Sequence, residues 1–145
     1  MLYADTCYLV KYYCVEPGTV PVRELFTGST VSCLALGKVE LVASFHRKLR
    51  EGAIDRAMLA TLIRQLNADD SVNLWNWLPV TEQVLEEVSR AFAALPDDAN
   101  LRTLDALHLT AARLAGLKEI YTSDRHVLTA APLFGLRGVN VLTSR

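Results

Sequence analysis

The sequence lacks the features on which several classes of protein depend. No apolar run approaches the ~18 residues of a membrane span, and Lys and Arg (15) do not outnumber Asp and Glu (16). The cysteines, Cys7, Cys14 and Cys33, are odd in number and match no zinc or redox motif. A Walker loop and a Gly-rich dinucleotide fingerprint are also absent. These absences argue against a membrane protein, a disulfide-stapled fold, nucleic-acid binding by bulk charge alone and nucleotide cofactors.

Length and composition predict an ordinary globular protein. The chain has 145 residues, 51% of them hydrophobic, and no repeat or linker divides it, so we expect a single domain over residues 1–145. A chain of this size needs no metal simply to fold, and any metal would serve chemistry. Residues 1–5 lack the basic start and long apolar core of a signal peptide, so the expected location is cytoplasmic, with reduced thiols.

Short apolar runs alternate with longer helical patterns along the chain. Strands are predicted at residues 1–4, 30–33, 73–80, 119–122 and 139–142. Helices are predicted at about residues 6–13, 20–26, 34–50, 54–66, 81–95, 101–112 and 125–131. Gly37, a poor helix former, stands near the start of the third helix. This alternation predicts an α/β sandwich around a mainly parallel sheet.

A carboxylate within an apolar helical pattern is the least expected feature. At about 100° per residue, a core-facing stripe around Leu104 is formed by Leu101, Leu107, Ala111 and Leu114. Asp105 lies at the border of this stripe. An unpaired buried charge costs several kcal/mol or more, so Asp105 should have a cationic partner or a shifted pKa.

Three further acids are expected to lie near Asp105. Asp5 and Asp124 each follow a predicted strand, and the carboxyl ends of parallel strands form the usual ligand crevice of such sheets. Glu40 borders another predicted buried stripe, composed of Leu36, Val39, Val42 and Ala43. About four negative charges in one pocket require neutralisation by protons or divalent cations. Oxygen-only ligands favour Mg²⁺ or Mn²⁺, and these ions indicate phosphodiester chemistry with one or two metals.

Four segments together resemble a known family. They are YADTCYLVKYY (residues 3–13), LGKVEL (36–41), LRTLDALHLTAA (101–112) and YTSDRHVLTAA (121–131). The ordered set resembles PIN domains and, more narrowly, the VapC-type toxins of bacterial and archaeal toxin–antitoxin pairs. The resemblance extends over the whole chain.

The resemblance implies a three-layer α/β/α fold and a Mg²⁺- or Mn²⁺-dependent endoribonuclease. It also implies inhibition by a cognate antitoxin and usually a homodimer. The positions that match the acidic metal site of the family are Asp5, Glu40, Asp105 and Asp124. Thr6 or Ser123 is expected to orient a carboxylate or bound water. Cys7 is a departure, since many relatives have serine there, and a thiol is a poorer hydrogen-bond partner than a hydroxyl.

Lys11 and Arg102 are candidates for contacts to RNA phosphates, because each lies near a proposed acidic residue. The basic run at residues 46–50 is interpreted as a solvated helix face. His108 is interpreted as a hydrogen-bonded core residue and not as part of the site.

Each acid also has a structural interpretation. Asp5 and Asp124 can cap the helices that follow them, and Glu40 can pair with a surface cation. Asp105 can pair with Arg102 or His108. The alternative function is a catalytically silent PIN-like module that binds protein or RNA.

Overall fold

Short apolar strands form the centre of the structure. The computed structural model describes residues 1–142. The strands are β1 (Leu2–Ala4), β2 (Val31–Leu34), β3 (Trp75–Leu78), β4 (Glu119–Tyr121) and β5 (Arg137–Val139). They form one parallel sheet in the order β3-β2-β1-β4-β5. The mainly parallel sheet is confirmed.

The helices follow the predicted alternation. They are α1 (Thr6–Tyr13), α2 (Thr19–Phe26), α3 (Gly37–Arg50), α4 (Arg56–Ser71), α5 (Glu82–Ala94), α6 (Thr103–Leu114) and α7 (Arg125–Ala130). A short 3₁₀ helix, Ala131–Phe134, follows α7. Thr81 caps α5 as predicted, because its side chain accepts a hydrogen bond from the Val84 amide at 3.2 Å.

Several predicted boundaries are wrong. The fourth helix, predicted at about residues 54–66, extends to Ser71, and the third strand, predicted at residues 73–80, is limited to Trp75–Leu78. The last strand was expected at residues 139–142, but β5 ends at Val139. Its position is set by pairing in register with β4 and not by hydrophobicity. The third helix was expected from residue 34. Leu34 instead pairs with β3 as part of β2, and α3 begins at Gly37.

Helices cover both faces of the sheet. Alternate strand residues point to opposite faces, so that Leu2 and Ala4 pack with α1 to α4, whereas Tyr3 packs with α5, α6 and α7. Trp75 of β3 belongs to the first of these cores. The structure is therefore the expected three-layer α/β/α sandwich.

Two helices bury faces that differ from the predicted stripes. Residues 105–112 of α6 are all buried, whereas Leu114, a predicted core residue, is 38% exposed. In α3, Val39 and Val42 are exposed, and the buried residues are Gly37, Leu41 and Phe45. Apolar residues lie on both sides of α3, so hydrophobicity alone did not identify the inner face.

The sheet order creates a switch point beside β1. From β1 the chain adds β2 and β3 on one side, and then β4 and β5 on the other. Ligands in such sheets bind at the carboxyl ends of the strands where the order reverses, here between β1 and β4. Within residues 1–142, no helix is both long and apolar enough to cross a membrane.

Candidate active site

The four predicted acids line one groove at this switch point. Each comes from a different element: Asp5 follows β1, Glu40 lies in the first turn of α3, Asp105 lies in the first turn of α6, and Asp124 precedes α7. The groove has a volume of about 320 Å³. The fold thus brings together side chains that are far apart in the sequence.

The shortest hydrogen bond to the Asp5 side chain comes from the segment that follows the neighbouring strand, β4. The Thr122 hydroxyl, just after β4, donates a hydrogen bond to Asp5 Oδ2 at 2.7 Å. Asp5 precedes α1 but makes no side-chain capping bond to it. The capping interpretation of Asp5 is therefore wrong. Asp5 is 9% exposed, and it lines the groove instead.

Glu40 has two hydrogen-bond donors on the same oxygen. Thr6 Oγ1 donates to Glu40 Oε2 at 2.8 Å, and His108 Nε2 lies 2.7 Å from that oxygen. The expectation that Thr6 orients a carboxylate is met in the structure. The cationic surface partner considered for Glu40 is replaced by a buried histidine.

Arg102 bridges Asp105 and Asp124. Its Nε and Nη2 atoms donate to Asp105 at 2.8 and 3.2 Å, and Nη2 also donates to Asp124 Oδ2 at 2.6 Å. The predicted pairing of Asp105 with Arg102 is confirmed. These contacts, led by the bond to Asp105, raise the pKa of Arg102 above its ordinary value.

Asp124 also caps α7, as its structural interpretation predicted. The His126 amide donates to Asp124 Oδ1 at 2.8 Å. Burial opposes ionisation of Asp124, but the His126 amide and the Arg102 guanidinium outweigh it and hold the pKa of this carboxyl below its usual range. One oxygen of the Asp124 carboxylate therefore caps α7, and the other accepts a hydrogen bond from Arg102.

The donor set suits a hard divalent cation, but the side chains are not arranged as a finished metal site. Within residues 1–142, no group of three or more His, Cys, Asp or Glu side chains is close enough together to hold an ion. The four carboxylates are instead tied to Arg102, His108 and two threonines. Their oxygens match the chemistry of Mg²⁺ and Mn²⁺, and Arg102 already brings positive charge to two of them. A bound ion would compete with Arg102 for the oxygens of Asp105 and Asp124.

Cys7 and Ser123 contact each other beside Asp5. Ser123 N and Oγ both lie 3.5 Å from Cys7 Sγ, and the thiol lies 3.5 Å from Asp5 Oδ2. Within residues 1–142 no hydrogen bond joins the Ser123 side chain to a carboxylate, and Thr122 orients Asp5 instead. A role of Ser123 toward bound water stays a prediction. Burial and the nearby Asp5 raise the pKa of Cys7 to about 12, so the thiol is un-ionised at neutral pH.

Basic side chains also line the groove. Lys11, Arg47 and Lys48 line it, and Glu16 forms ion pairs with both lysines, to Lys11 at 2.8 Å. Lys11 lines the same groove as the acids, and its contact with RNA phosphate stays a prediction. The interpretation of residues 46–50 as a solvated face is wrong for Lys48, which is half-buried.

Comparison with known proteins identifies the family. A model of the PIN domain matches residues 2–131. The chain belongs to the PIN domain family. Ribonuclease VapC47 of Mycobacterium tuberculosis (strain CDC 1551 / Oshkosh) is 32% identical over 117 residues, which cover 77% of this chain and 74% of VapC47.

Solved PIN-like structures have the same fold. FitAcB from Neisseria gonorrhoeae matches with a TM-score of 0.73 at 17% identity, over 97% of both chains. VapC20 of Mycobacterium tuberculosis, described as a toxin that cleaves the sarcin-ricin loop, matches with a TM-score of 0.67 at 14% identity, over 94% of this chain and 99% of its own. At these identities the likeness shows the fold alone.

Two residues that contact the acids, Thr122 and His108, and one behind them, Tyr3, were not assigned to the site from the sequence. Thr122 binds Asp5, and the buried pair of His108 and Tyr3 leads to Glu40. The sequence offered one indication of Thr122, because this residue directly precedes Ser123 and Asp124 at the end of a predicted strand. The apolar pattern around His108 correctly indicated a hydrogen-bonded core residue, but it did not identify Glu40 as a partner.

Proposed function

We propose that this PIN domain protein is a divalent-metal-dependent endoribonuclease that cleaves RNA phosphodiester bonds, and that it is the toxin of a toxin–antitoxin pair. The observation that carries the proposal is the shared groove of Asp5, Glu40, Asp105 and Asp124 at the switch point of the sheet. The identity to a relative named as a ribonuclease supports it.

In this proposal the four carboxylates hold Mg²⁺ or Mn²⁺. A bound ion would activate a water molecule and neutralise charge on the phosphate. Thr122 and Thr6 hold Asp5 and Glu40 in place through the hydrogen bonds described above. In the same proposal, Lys11 and Arg102 contact RNA phosphates, and Thr6 and Ser123 also contact the substrate.

The proposed partners follow from the same family relationship. A cognate antitoxin would inhibit the enzyme, and the active form would be a homodimer in the cytoplasm. VapC47, the relative with 32% identity, shares the VapC name with the toxin VapC20, which supports an antitoxin partner. Coexpression with the product of the neighbouring gene, followed by copurification and size-exclusion chromatography, tests both partners together.

A catalytically silent binding module is the second candidate. One observation favours it: Arg102 neutralises Asp105 and Asp124, and the described residues form no finished metal site. Four acids in one groove favour the enzyme, since a module that only binds RNA has no need to concentrate negative charge where phosphates approach.

The deciding experiment is an RNA cleavage assay with protein freed from antitoxin. The enzyme should cut RNA with Mg²⁺ or Mn²⁺ and not with EDTA. Asp5→Asn and Asp105→Asn should each lose about 10²-fold or more in rate, because each removes a negative ligand at nearly constant shape. Asp98→Asn, in an exposed loop, is the matched control. Full activity of both site variants would refute the proposal.

A further inference from the structure

A buried polar pair lies beneath the groove. Tyr3 of β1 is 0% exposed and His108 of α6 is 1% exposed, and Tyr3 Oη lies 2.7 Å from His108 Nδ1. Both lie in the mostly apolar core on the side of the sheet that α6 covers. Burying such groups costs free energy unless every one of them is hydrogen-bonded, so the pair requires partners at both ends.

The partners at the two ends set the direction of the hydrogen bonds. The Leu34 amide donates to Tyr3 Oη at 3.0 Å, and His108 Nε2 lies 2.7 Å from Glu40 Oε2. An ionised carboxylate can only accept, so Nε2 carries a hydrogen and donates to Glu40. This holds whether or not Nδ1 is also protonated. His108 is thus a donor to Glu40 in either state of the ring.

Glu40 is consequently restrained through one oxygen. Oε2 accepts from both His108 and Thr6, whereas within residues 1–142 no side chain hydrogen-bonds to Oε1. The side chain of Glu40 is 24% exposed to the groove, and that of His108 behind it is 2% exposed. Two rigid donors below the groove therefore orient a carboxylate whose other oxygen stays available.

We propose that Tyr3 and His108 are positioning residues that hold Glu40 so that it offers one oxygen, Oε1, to a divalent cation. The inference rests on the proposed function and deepens it. Hydrogen-bonded partners that orient metal ligands typically account for 10- to 100-fold in metal affinity. His108 would act through Glu40 and would touch neither metal nor RNA.

The test compares two substitutions of similar size in protein without RNA. In His108→Gln the amide nitrogen can take the place of Nε2 and still donate to Glu40. In His108→Asn the amide can reach Tyr3 but not Glu40. Mn²⁺ affinity, obtained from free Mn²⁺ measured by electron paramagnetic resonance, should fall by about 10-fold or more in the Asn variant. The Gln variant should remain within about threefold of wild type.

Two controls separate positioning from damage to the fold. His46→Asn, at an exposed position of α3, should leave Mn²⁺ affinity unchanged. In a Glu40→Gln background, His108→Asn should cause no further loss, because His108 acts only through Glu40. Tyr3→Phe, which removes only the hydroxyl, provides a milder variant and should lower affinity in the same direction.

The outcomes distinguish this inference from the proposed function. Equal Mn²⁺ affinity of His108→Asn and wild type, or an equal loss with and without Glu40, would overturn the positioning role and leave the nuclease proposal intact. Wild-type protein that neither binds Mn²⁺ nor cuts RNA would overturn both.

Discussion

At the residue scale, Arg102 occupies carboxylate oxygens that a bound metal ion would also need. Its guanidinium holds Asp105 and Asp124, two of the four candidate ligands. The side chain of Arg102 is 64% exposed, so these ion pairs are weak and can be exchanged for other contacts. Released from the carboxylates, the guanidinium can pair with an RNA phosphate.

Arg102→Gln should therefore change metal and RNA binding in opposite directions. Mn²⁺ affinity should rise by up to about fivefold, since exposed ion pairs contribute at most ~1 kcal/mol. RNA affinity should fall, because a phosphate contact is lost. Mn²⁺ titration and RNA binding by fluorescence anisotropy measure the two effects. Arg113→Gln, which removes an ion pair with Glu87 away from the groove, is the control. A parallel fall in both affinities would contradict competition.

At the scale of elements, Gly37 sets how closely α3 approaches β2. A Cβ at this position would lie 2.7 Å from Cys33 Sγ and 3.3 Å from a ring carbon of Trp77. The absence of a side chain lets the helix pack with Leu41 and Phe45 inward. Because Glu40 is three residues after Gly37 on the same helix, this packing determines where Glu40 lies in the groove.

Gly37→Ala should destabilise the protein by about 1–3 kcal/mol, because the added methyl overpacks the helix–strand contact. Urea unfolding measures the loss. Cys33→Ala removes the sulfur that the new Cβ would meet. The double variant should therefore lose less stability than the sum of the losses of the two single variants. Strict additivity of the two changes would argue against this contact.

A second inter-element contact joins the start of the chain to α3. Glu16, after α1, pairs with Lys11 of α1 and Lys48 of α3. Burial opposes ionisation of Glu16, but the bonds from Lys11 and Lys48 outweigh it and lower the pKa of this carboxyl. A lowered pKa stabilises the fold above the unfolded value of about 4.3, and this stability is lost as pH falls through the folded value.

Glu16→Gln should lower the free energy of unfolding by about 1–2 kcal/mol at pH 7, since charged hydrogen bonds are lost. The difference from wild type should shrink toward zero as the pH falls through the folded pKa of Glu16, because the carboxyl is then protonated in both states. Urea unfolding at pH 7 and at an acidic pH below the folded pKa tests this. Glu24→Gln, exposed on α2, should have little effect at either pH. A loss that is independent of pH would show that the charge of Glu16 is unimportant.

At the scale of the whole molecule, the net charge is −1, yet charged side chains of both signs are concentrated in one groove. The four acids share it with Lys11, Arg47 and Lys48. Under the proposed function, RNA binding would depend on a few local cations and not on a broad basic surface.

This arrangement predicts a modest dependence of RNA binding on salt. With three or four phosphate contacts, the logarithm of affinity for single-stranded RNA should fall with that of salt concentration at a slope of about −2 to −3. Asp5→Asn keeps the RNA intact during the measurement. Lys48→Gln should reduce the slope by about 0.7. A slope steeper than about −5 would indicate a much larger basic surface.

The amino-acid sequence by itself determined the alternation of strands and helices, and with it the α/β class, because hydrophobic periodicity and capping are local properties. It also identified Asp5, Glu40, Asp105 and Asp124 as a set, since acids at strand ends and on buried helices are unusual. The buried face of α3 was predicted wrongly, because Val39 and Val42 are as apolar as the residues that do face the core.

Only the tertiary structure decided which partners the acids have. Thr122 reaches Asp5 because β4 lies beside β1, and His108 reaches Glu40 because α6 packs beneath the switch point. Arg102 contacts Asp105 at helical spacing, which the sequence indicated, but its bridge to Asp124 depends on how α6 and α7 meet. Contacts between distant segments follow from sheet order and helix packing, and local sequence patterns contain neither.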